Sequence, residues 1–194
     1  HRVQGQKTAA FEIVHEFGAA PDYLCIPVGN AGNITAYWLG FNEAQDLGWA
    51  ETRPKMLGFQ AEGAAPIVKD EPVERPDSVA SALRVGNPAS WKGAVDARDE
   101  SGGAIESVSD DEILHAYRQM ARSEGIFCEP ASAASVAGLL KLSREGLHLQ
   151  GKTAVCVITG SGLKAPDVAA DVKPSSMREY PAELGALESA LGAA

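Results

Sequence analysis

The sequence lacks the features that mark membrane-spanning proteins and nucleic-acid-binding proteins. No apolar run in its 194 residues approaches the roughly eighteen residues of a membrane span. We also expect no signal peptide before the first helical pattern. Lysine and arginine number 17 against 26 acidic residues, for a net charge of −9. This balance argues against nucleic acid or an anionic membrane as a partner, although local amides can still hold a small anion inside an acidic protein.

Cysteine and histidine are also scarce. The three cysteines, Cys25, Cys128 and Cys156, lie in or beside apolar segments and lack the spacing of metal ligands. This placement indicates small core residues in a protein of a reducing compartment, and we therefore expect a cytoplasmic protein. None of the four histidines has a partner at ligand spacing, so we assign them no role and expect no metal.

What the sequence does contain is a strand, a glycine–asparagine loop and a helix in immediate succession. Apolar residues 23–26 predict a buried strand, and apolar residues at helical spacing over 34–41 predict the helix. Between them, Gly29 and Gly32 permit positive φ and a close approach of the backbone. The free amides of such a loop and of the helix start converge on one point, where the helix dipole favours negative charge. The pattern predicts a phosphate site.

The loop sequence by itself leaves open whether it binds phosphate or only packs a helix against a sheet. No Gly-Lys-Ser/Thr follows it, which excludes a Walker loop. The Gly-x-x-Gly spacing also departs from the dinucleotide fingerprint. If the loop binds an anion, a single phosphate suits it better than a pyrophosphate.

Strand-like and helix-like segments alternate along the rest of the chain. Further strands are predicted at 56–60, 104–108, 126–128 and 153–158, of which the last has the clearest buried pattern. Helices are predicted at 6–17, 34–47, 79–85, 88–99, 110–124 and 133–142. Ser109 and Glu112 have the spacing of a capping box.

This alternation predicts an α/β layered fold with a parallel sheet. In such folds ligands lie at the carboxyl ends of the strands. Three turns marked by glycine or proline follow strands here, at 29–33, 129–132 and 159–162. We expect the three turns to line one cleft.

Four segments carry a more specific signal because of their order. They are residues 5–12 (GQKTAAFE), 27–36 (PVGNAGNITA), 129–135 (EPASAAS) and 159–164 (TGSGLK). Together they resemble the threonine synthase family, within the tryptophan-synthase-like group of pyridoxal-phosphate enzymes. The resemblance covers about residues 1–170, which would form the C-terminal part of the catalytic domain. Residues 171–194 would form a tail that ends in a helix.

The resemblance implies two α/β domains with pyridoxal phosphate between them, in a homodimer. It implies the conversion of O-phosphohomoserine and water to threonine and phosphate. The cofactor phosphate would be held by the loop residues Gly29, Asn30, Ala31, Gly32 and Asn33.

The resemblance also assigns roles outside the loop. The hydroxyl of Thr159 would face the pyridine nitrogen, which makes the cofactor a milder electron sink, suited to replacement at the β and γ carbons. Arg2 and Asn30 would lie where the substrate's own phosphate binds, with Arg2 offering a bidentate fork.

The sequence departs from the family pattern at two points. The Schiff-base lysine of the family lies in an earlier Ser/Phe-Lys-Asp motif, which this sequence does not contain. We therefore expect an N-terminal half outside this sequence, without which the chain should not catalyse the reaction. The usual aspartate after Leu163-Lys164 is Ala165. Whether Glu62 or Glu129 faces the cleft is left open.

Two other functions compete with this interpretation. One is a related pyridoxal-phosphate enzyme for an unphosphorylated substrate, either a dehydratase or a sulfhydrylase-like synthase. Arg2 discriminates against it, because such a substrate needs no guanidinium at that position. The other is a non-catalytic fragment that binds a phosphate ligand.

Overall fold

The computed structural model of the chain describes residues 1–170 and 181–192. Its sheet has four parallel strands in the order β3-β2-β1-β4. The strands are β1 (Tyr23–Pro27), β2 (Lys55–Ala61), β3 (Ala104–Val108) and β4 (Ala154–Cys156). In the register of the sheet, Cys25 lies between Leu57 of β2 and Cys156 of β4. The predicted α/β fold with a parallel sheet is confirmed.

Helices connect the strands and cover both faces of the sheet. They are α1 (Arg2–Gln6), α2 (Thr8–Phe17), α3 (Gly32–Asp46), α4 (Pro66–Lys69), α5 (Trp91–Ser101), α6 (Asp110–Ser123), α7 (Pro130–Arg144), α8 (Pro166–Ala170) and α9 (Leu184–Leu191). Two single turns of 3-10 helix, Ser81–Leu83 and Gly162–Lys164, complete the described secondary structure.

The core has two parts, one on each face of the sheet. On one face α2, α3 and α5 pack together with the strands, and on the other α6 and α7 do so. Helix α7 approaches the sheet so closely that a Cβ atom at Gly138 would lie 2.0 Å from the ring of Phe59. Among the described residues, no helix is both long and apolar enough to cross a membrane.

Local signals in the sequence are confirmed where side chains or glycine set a helix end. Helix α6 begins with the predicted capping box, in which the Ser109 hydroxyl accepts from the Glu112 amide and the Glu112 carboxylate accepts from the Ser109 amide. Helix α2 ends at Gly18, whose φ of +68° is the left-handed conformation that glycine adopts without strain.

Two predicted strands are wrong in whole or in part. Residues 126–128 form no strand, and only Cys128 makes a single antiparallel bridge, with Ser161. Ile126 and Phe127 are 41% and 45% exposed, so their apolar pattern does not report burial in a sheet. The pattern over 153–158 shortens to the three residues of β4, which is half-buried because it pairs with β1 alone among the described strands.

Helix boundaries also differ from the prediction. The helix predicted over 6–17 divides at Lys7 into α1 and α2, and α1 begins four residues earlier than expected. Of the helix predicted over 79–85, only one 3-10 turn forms. Part of the predicted tail, residues 171–180 and 193–194, lies outside the described residues.

Candidate functional site

The candidate site lies where the order of strands reverses. The chain leaves β1 through α3 toward β2, whereas β4 returns on the other side of β1. Such a reversal opens a crevice at the carboxyl ends of the two strands between which it occurs, here β1 and β4. A cavity of about 350 Å³ occupies this position. The cavity is lined by Arg2, Val3, Gln6, Pro27, Gly29, Asn30, Ala31, Gly32, Asn33, Ala82, Leu83, Ser90, Ala131 and Thr159.

The structure thus brings together all the sequence-predicted site residues. The loop of residues 29–33, which we call the cradle loop, forms one wall together with Arg2 of α1. Thr159, which follows β4, stands at the same cavity and is exposed there. Of the three turns expected to meet, 159–162 contributes Thr159 and 129–132 contributes Ala131.

The backbone of the cradle loop carries free hydrogen-bond donors. Within the part of the chain that the structure describes, no amide of residues 29–33 donates to a protein acceptor. Helix α3 starts in the same loop without a capping side chain. Unpaired amides at a helix start are a ready site for an anion, and the helix dipole adds to the attraction.

The conformation of the cradle loop differs from the expectation in one respect. Positive φ occurs at Ala31, at +62°, and at neither glycine. Gly29 is required for close approach instead, since a Cβ atom there would lie 2.6 Å from the backbone oxygen of Ala82. A non-glycine residue in the left-handed region stores strain of roughly 1–3 kcal/mol, which the surrounding structure must sustain.

Asn30 fastens the cradle loop to the segment after the 3-10 turn at 81–83. Its side-chain oxygen accepts from the Ala89 amide at 2.7 Å, and its backbone oxygen accepts from the Ser90 amide at 3.3 Å. Because an amide N–H can bond only to the oxygen, this contact fixes the orientation of the carboxamide. The end of Asn30 that remains is its NH₂ group, which is a donor suited to an anion.

The electrostatics of the cavity also favour an anion. Among the described residues none of its lining side chains is acidic, although the protein carries a net charge of −9. Arg2 supplies a positive charge, and no described carboxylate pairs with it. An anion entering this cavity therefore meets a guanidinium and amide donors without a competing carboxylate.

Gln6 is a lining residue that the sequence reasoning did not single out. Its side-chain oxygen is the one buried side-chain polar atom without a hydrogen-bond partner among the described residues. Gln6 follows Arg2 by one helical turn on α1, so the two side chains share a face of that helix. The spacing of four residues between Arg2 and Gln6 was the signal in the sequence that could have identified Gln6 as a second residue on this face of the helix.

The turn that carries Thr159 is held by contacts to the segment before α7. The Glu129 amide donates to the Gly160 oxygen at 3.0 Å, and the Gly162 amide donates to the Phe127 oxygen at 3.1 Å. Ser132 completes the set through its hydroxyl, which accepts from the Gly160 amide at 2.8 Å. The sequence placed Ser132 only at the end of the turn over 129–132, and no local pattern shows that its hydroxyl reaches Gly160, 28 residues away.

Neither carboxylate left open by the sequence lines the cavity. Glu62 is exposed. Glu129 is 8% exposed and lies under the Thr159 turn, where its Oε1 is 3.8 Å from the Lys164 ammonium. Ala165, which replaces the usual aspartate, closes the 3-10 turn by donating its amide to the Gly162 oxygen.

The cysteines take no part in the site. Cys25 and Cys128 are buried, and Cys156 is half-buried. The neighbouring thiol of Cys156, together with burial, raises the pKa of Cys25, so this thiol stays protonated in the core. A second and larger groove, of about 580 Å³, is lined by Phe11, Trp49 and other residues around α2, and it lacks the free amides of the cradle loop.

Comparison with known proteins identifies the family to which the chain belongs. Residues 1–160 match the model of a family described as pyridoxal-phosphate dependent enzyme. The threonine synthase of Mycobacterium tuberculosis (strain ATCC 25618 / H37Rv) is 56% identical over 174 residues, which are 90% of this chain and 48% of that protein. The threonine synthase of Synechocystis sp. is 57% identical over 169 residues, or 87% of this chain and 44% of that protein. This chain thus spans about half the length of the curated relatives it matches.

Solved structures share the fold at low sequence identity. A threonine deaminase from T.th. matches 82% of this chain and 56% of its own, at 21% identity and a TM-score of 0.64. A serine racemase from Dictyostelium discoideum matches 82% of this chain and 49% of its own, also at 21% identity and a TM-score of 0.64. From the family match and from the relatives that are more than half identical, the chain belongs to the family of pyridoxal-phosphate dependent enzymes.

Proposed function

We propose that this chain is the C-terminal half of a threonine synthase, a lyase that converts O-phosphohomoserine and water to threonine and phosphate. The observation that carries the proposal is the meeting of the cradle loop, Arg2 and Thr159 at one cavity. Identity of 49–57% to threonine synthases over most of the chain supports the same choice. Under this proposal residues 1–170 belong to the catalytic domain, and residues 171–194 form a C-terminal tail.

The cradle loop would hold the phosphate of the cofactor. Its unpaired amides and the start of α3 fit a dianionic group, because each amide-to-phosphate bond is charge-assisted and contributes roughly 1.5–3 kcal/mol. The donor end of Asn30 adds a side-chain contact on the same side of the cavity. The orientation of Asn30 does not depend on the ligand, since Ala89 already holds its oxygen.

Arg2 and Asn30 would bind the second phosphate, that of the substrate. Both line the cavity, and Asn30 stands at the end of the cradle loop nearest β1. The guanidinium of Arg2 presents several donors in one plane, which matches a phosphate group. Gln6 lies one helical turn from Arg2, and its buried Oε1 is an acceptor, suited to an N–H or O–H group of a ligand rather than to the phosphate.

Thr159 would face the ring nitrogen of the cofactor. When bound, pyridoxal phosphate supplies the electron sink that permits exchange of groups at the β and γ carbons of an amino acid. A hydroxyl beside the ring nitrogen donates a hydrogen bond and leaves that nitrogen unprotonated, which moderates the sink. The lysine that carries the cofactor would come from the N-terminal half of the same enzyme, which we propose to be a cytoplasmic homodimer.

The test uses the full-length protein with pyridoxal phosphate. We expect release of inorganic phosphate from O-phosphohomoserine and formation of threonine, without comparable turnover of serine or threonine. We expect Arg2→Ala to raise KM for O-phosphohomoserine roughly 10- to 100-fold, as loss of a charged hydrogen-bonding partner does, and to leave the dissociation constant of the cofactor within about twofold.

The matched control is Arg122→Ala, which removes an exposed arginine of α6 away from the cavity and should change neither constant. Preferential turnover of serine or threonine would replace the proposal with a dehydratase. Equal losses of cofactor and substrate affinity in Arg2→Ala would contradict the assignment of Arg2 to the substrate.

A further inference from the structure

The hydroxyl of Ser132 lies directly beside that of Thr159. Ser132 is the third residue of α7 and is fully buried, at 0% exposure. Its Oγ is 2.9 Å from the Thr159 Oγ1, 2.8 Å from the Gly160 nitrogen and 3.4 Å from the Gly160 oxygen. The buried serine thus contacts both the side chain and the backbone of the turn.

The directions of these hydrogen bonds follow from counting protons. A serine hydroxyl has one proton to donate and can accept two hydrogen bonds. The Gly160 amide must donate, so Ser132 is the acceptor of that bond. The proton of Ser132 can then go to the Thr159 Oγ1 at 2.9 Å or to the Gly160 oxygen at 3.4 Å. The Thr159 oxygen is closer, whereas the Gly160 oxygen already accepts from the Glu129 amide at 3.0 Å.

We propose that Ser132 is a positioning residue that donates to Thr159 and thereby leaves the Thr159 proton free to donate into the cavity. This inference rests on the proposed function, in which Thr159 faces the ring nitrogen. An unprotonated ring nitrogen has only an acceptor to offer, so Thr159 is useful there only as a donor. Without Ser132, the Thr159 hydroxyl could rotate and direct its proton elsewhere, as toward the backbone.

A purely structural role makes a different prediction. In that role Ser132 only satisfies the Gly160 amide, and its loss loosens the turn whether or not Thr159 carries a hydroxyl. In the proposed role, the loss of Ser132 acts through the hydroxyl of Thr159. A double-mutant cycle between Ser132→Ala and Thr159→Val separates the two, because only directly coupled residues show non-additive effects.

The experiment measures cofactor binding by the full-length protein. Apoenzyme of each variant is titrated with pyridoxal phosphate, and the absorption of the bound cofactor is recorded against pH. We expect Thr159→Val and Ser132→Ala each to raise the dissociation constant roughly 3- to 10-fold, the range of one neutral hydrogen bond, and to shift the pH dependence of the absorption in the same direction. In the Thr159→Val background, Ser132→Ala should add less than about twofold.

Ser135→Ala is the matched control. Ser135 is also fully buried, lies one turn further along α7, and bonds through its hydroxyl to the Ser132 backbone oxygen at 2.9 Å. Its replacement removes a buried serine hydroxyl from the same helix without touching Thr159. We expect it to leave the dissociation constant and the pH profile of the absorption unchanged.

Ser132→Cys extends the test to a variant that is less prone to misfold, because the thiol is similar in size to the hydroxyl. The thiol is also a weaker hydrogen-bond donor to Thr159. We expect the dissociation constant of pyridoxal phosphate for this variant to fall between those of the wild type and Ser132→Ala.

Three outcomes would contradict part of the argument. Equal effects of Ser132→Ala with and without the Thr159 hydroxyl would overturn the proposal in favour of a structural role. If Thr159→Val itself changed neither binding nor absorption, the ring contact of the proposed function would fail too. If Thr159→Val had its effect and Ser132→Ala had none, only the role of Ser132 would fail.

Discussion

The two ends of the cavity are built in different ways. The cradle loop presents its backbone to the cavity: it has unpaired amides, an alanine in the left-handed region, and a glycine packed against the Ala82 carbonyl. The Thr159 turn presents a side chain to the cavity and is held in place by hydrogen bonds: its amides donate to Ser132 and Phe127, and its Gly160 oxygen accepts from the Glu129 amide. One end depends on the path of the main chain, and the other on hydroxyl groups that single substitutions can remove.

The difference shows what each end can tolerate. A backbone site cannot be adjusted by exchanging side chains. Any substitution of Gly29 adds a Cβ that meets the backbone carbonyl of Ala82. At a site built from side chains, single substitutions remove one contact at a time, so the contribution of each contact to binding can be measured. Substitutions that disturb the main chain of the cradle loop should therefore act on folding and on binding together, whereas those that change only a side chain facing the cavity should act mainly on binding.

Gly29→Ala should have the largest effect. The new Cβ would lie 2.6 Å from the Ala82 oxygen, a backbone atom that cannot move without displacing the 3-10 turn at 81–83. We expect the free energy of unfolding to fall by about 2 kcal/mol, as in overpacked cores, and cofactor binding to be lost at micromolar concentrations. Urea unfolding of the apoenzyme and absorbance titration measure the two effects. Gly5→Ala, with no atom within 4 Å of its Cβ, is the control, and equal behaviour of the two variants would refute the argument.

Asn30→Asp should have the next largest effect, and on binding alone. The new carboxylate can still accept from the Ala89 amide, so the loop should keep its fold. It replaces the NH₂ donor with negative charge where phosphate is expected. We therefore expect the cofactor dissociation constant to rise roughly 10- to 100-fold, with the urea midpoint unchanged. Asn30→Ala is the comparison: it should weaken cofactor binding and also lower the urea midpoint, because it removes the acceptor for the Ala89 amide. If Asn30→Asp lowered the urea midpoint by the same amount, its effect could not be assigned to binding alone.

Gly160→Ala tests the opposite end of the cavity with the same chemical change as Gly29→Ala. Its Cβ would lie only 2.1 Å from an atom of the protein, which is closer than at Gly29. That atom is the Oε1 of Glu129, the end of a side chain that can rotate, so the variant should cost less stability than Gly29→Ala despite the shorter distance. We expect a loss of stability of about 1 kcal/mol or below and a binding loss of only a few fold. The reverse order of the two alanine variants would contradict the contrast between backbone and side-chain construction.

The smallest effect is expected at Asp22, which joins β4 to β1 at the end of the strands away from the cavity. Hydrogen bonds from the Lys152 ammonium at 2.8 Å and from the Thr153 amide at 2.8 Å lower the pKa of Asp22. Because the pKa is lower in the folded state than in the unfolded chain, the stabilisation is present above the unfolded pKa and is lost as pH falls through the folded one.

Asp22→Asn should thus reduce stability slightly at neutral pH and flatten its dependence on pH below about 4, the region of an unperturbed aspartate. Urea unfolding at several pH values measures the change. β4 leads to the Thr159 turn and β1 leads to the cradle loop. The cofactor dissociation constant of Asp22→Asn therefore reports whether the contact of Asp22 with Lys152 also sets the position of the Thr159 turn relative to the cradle loop. An unaltered pH dependence in Asp22→Asn would remove Asp22 from this account.

The sequence predicted the layers of the fold and the cradle loop because these depend on local pattern. Strand β3 has the predicted bounds, the capping box at Ser109 forms, and the loop follows β1 as expected. Apolar periodicity failed at 126–128, where Ile126 and Phe127 are exposed and only one bridge forms. The sequence of a short apolar run does not show whether another strand lies beside it and pairs with it.

The parts of the site that escaped prediction depend on distant contacts. The orientation of Asn30 is set by Ala89, which is 59 residues away, and the contact of Ser132 with Thr159 spans 27 residues. The sequence indicated the amides of the loop but placed the left-handed conformation at glycine, whereas Ala31 adopts it. Gly29 is required instead by the approach of the Ala82 carbonyl, a contact with a distant part of the chain that no local pattern shows.

The unpaired amides of residues 29–33 have a consequence for the lifetime of the protein. A ligand that binds only the folded state stabilises it by mass action, by about 2.7 kcal/mol when its concentration is about one hundred times the dissociation constant. If the cofactor phosphate satisfies these donors, as the proposed function has it, the protein's resistance to unfolding depends on the supply of pyridoxal phosphate. Under that proposal, cells short of the cofactor would lose the protein itself through faster degradation.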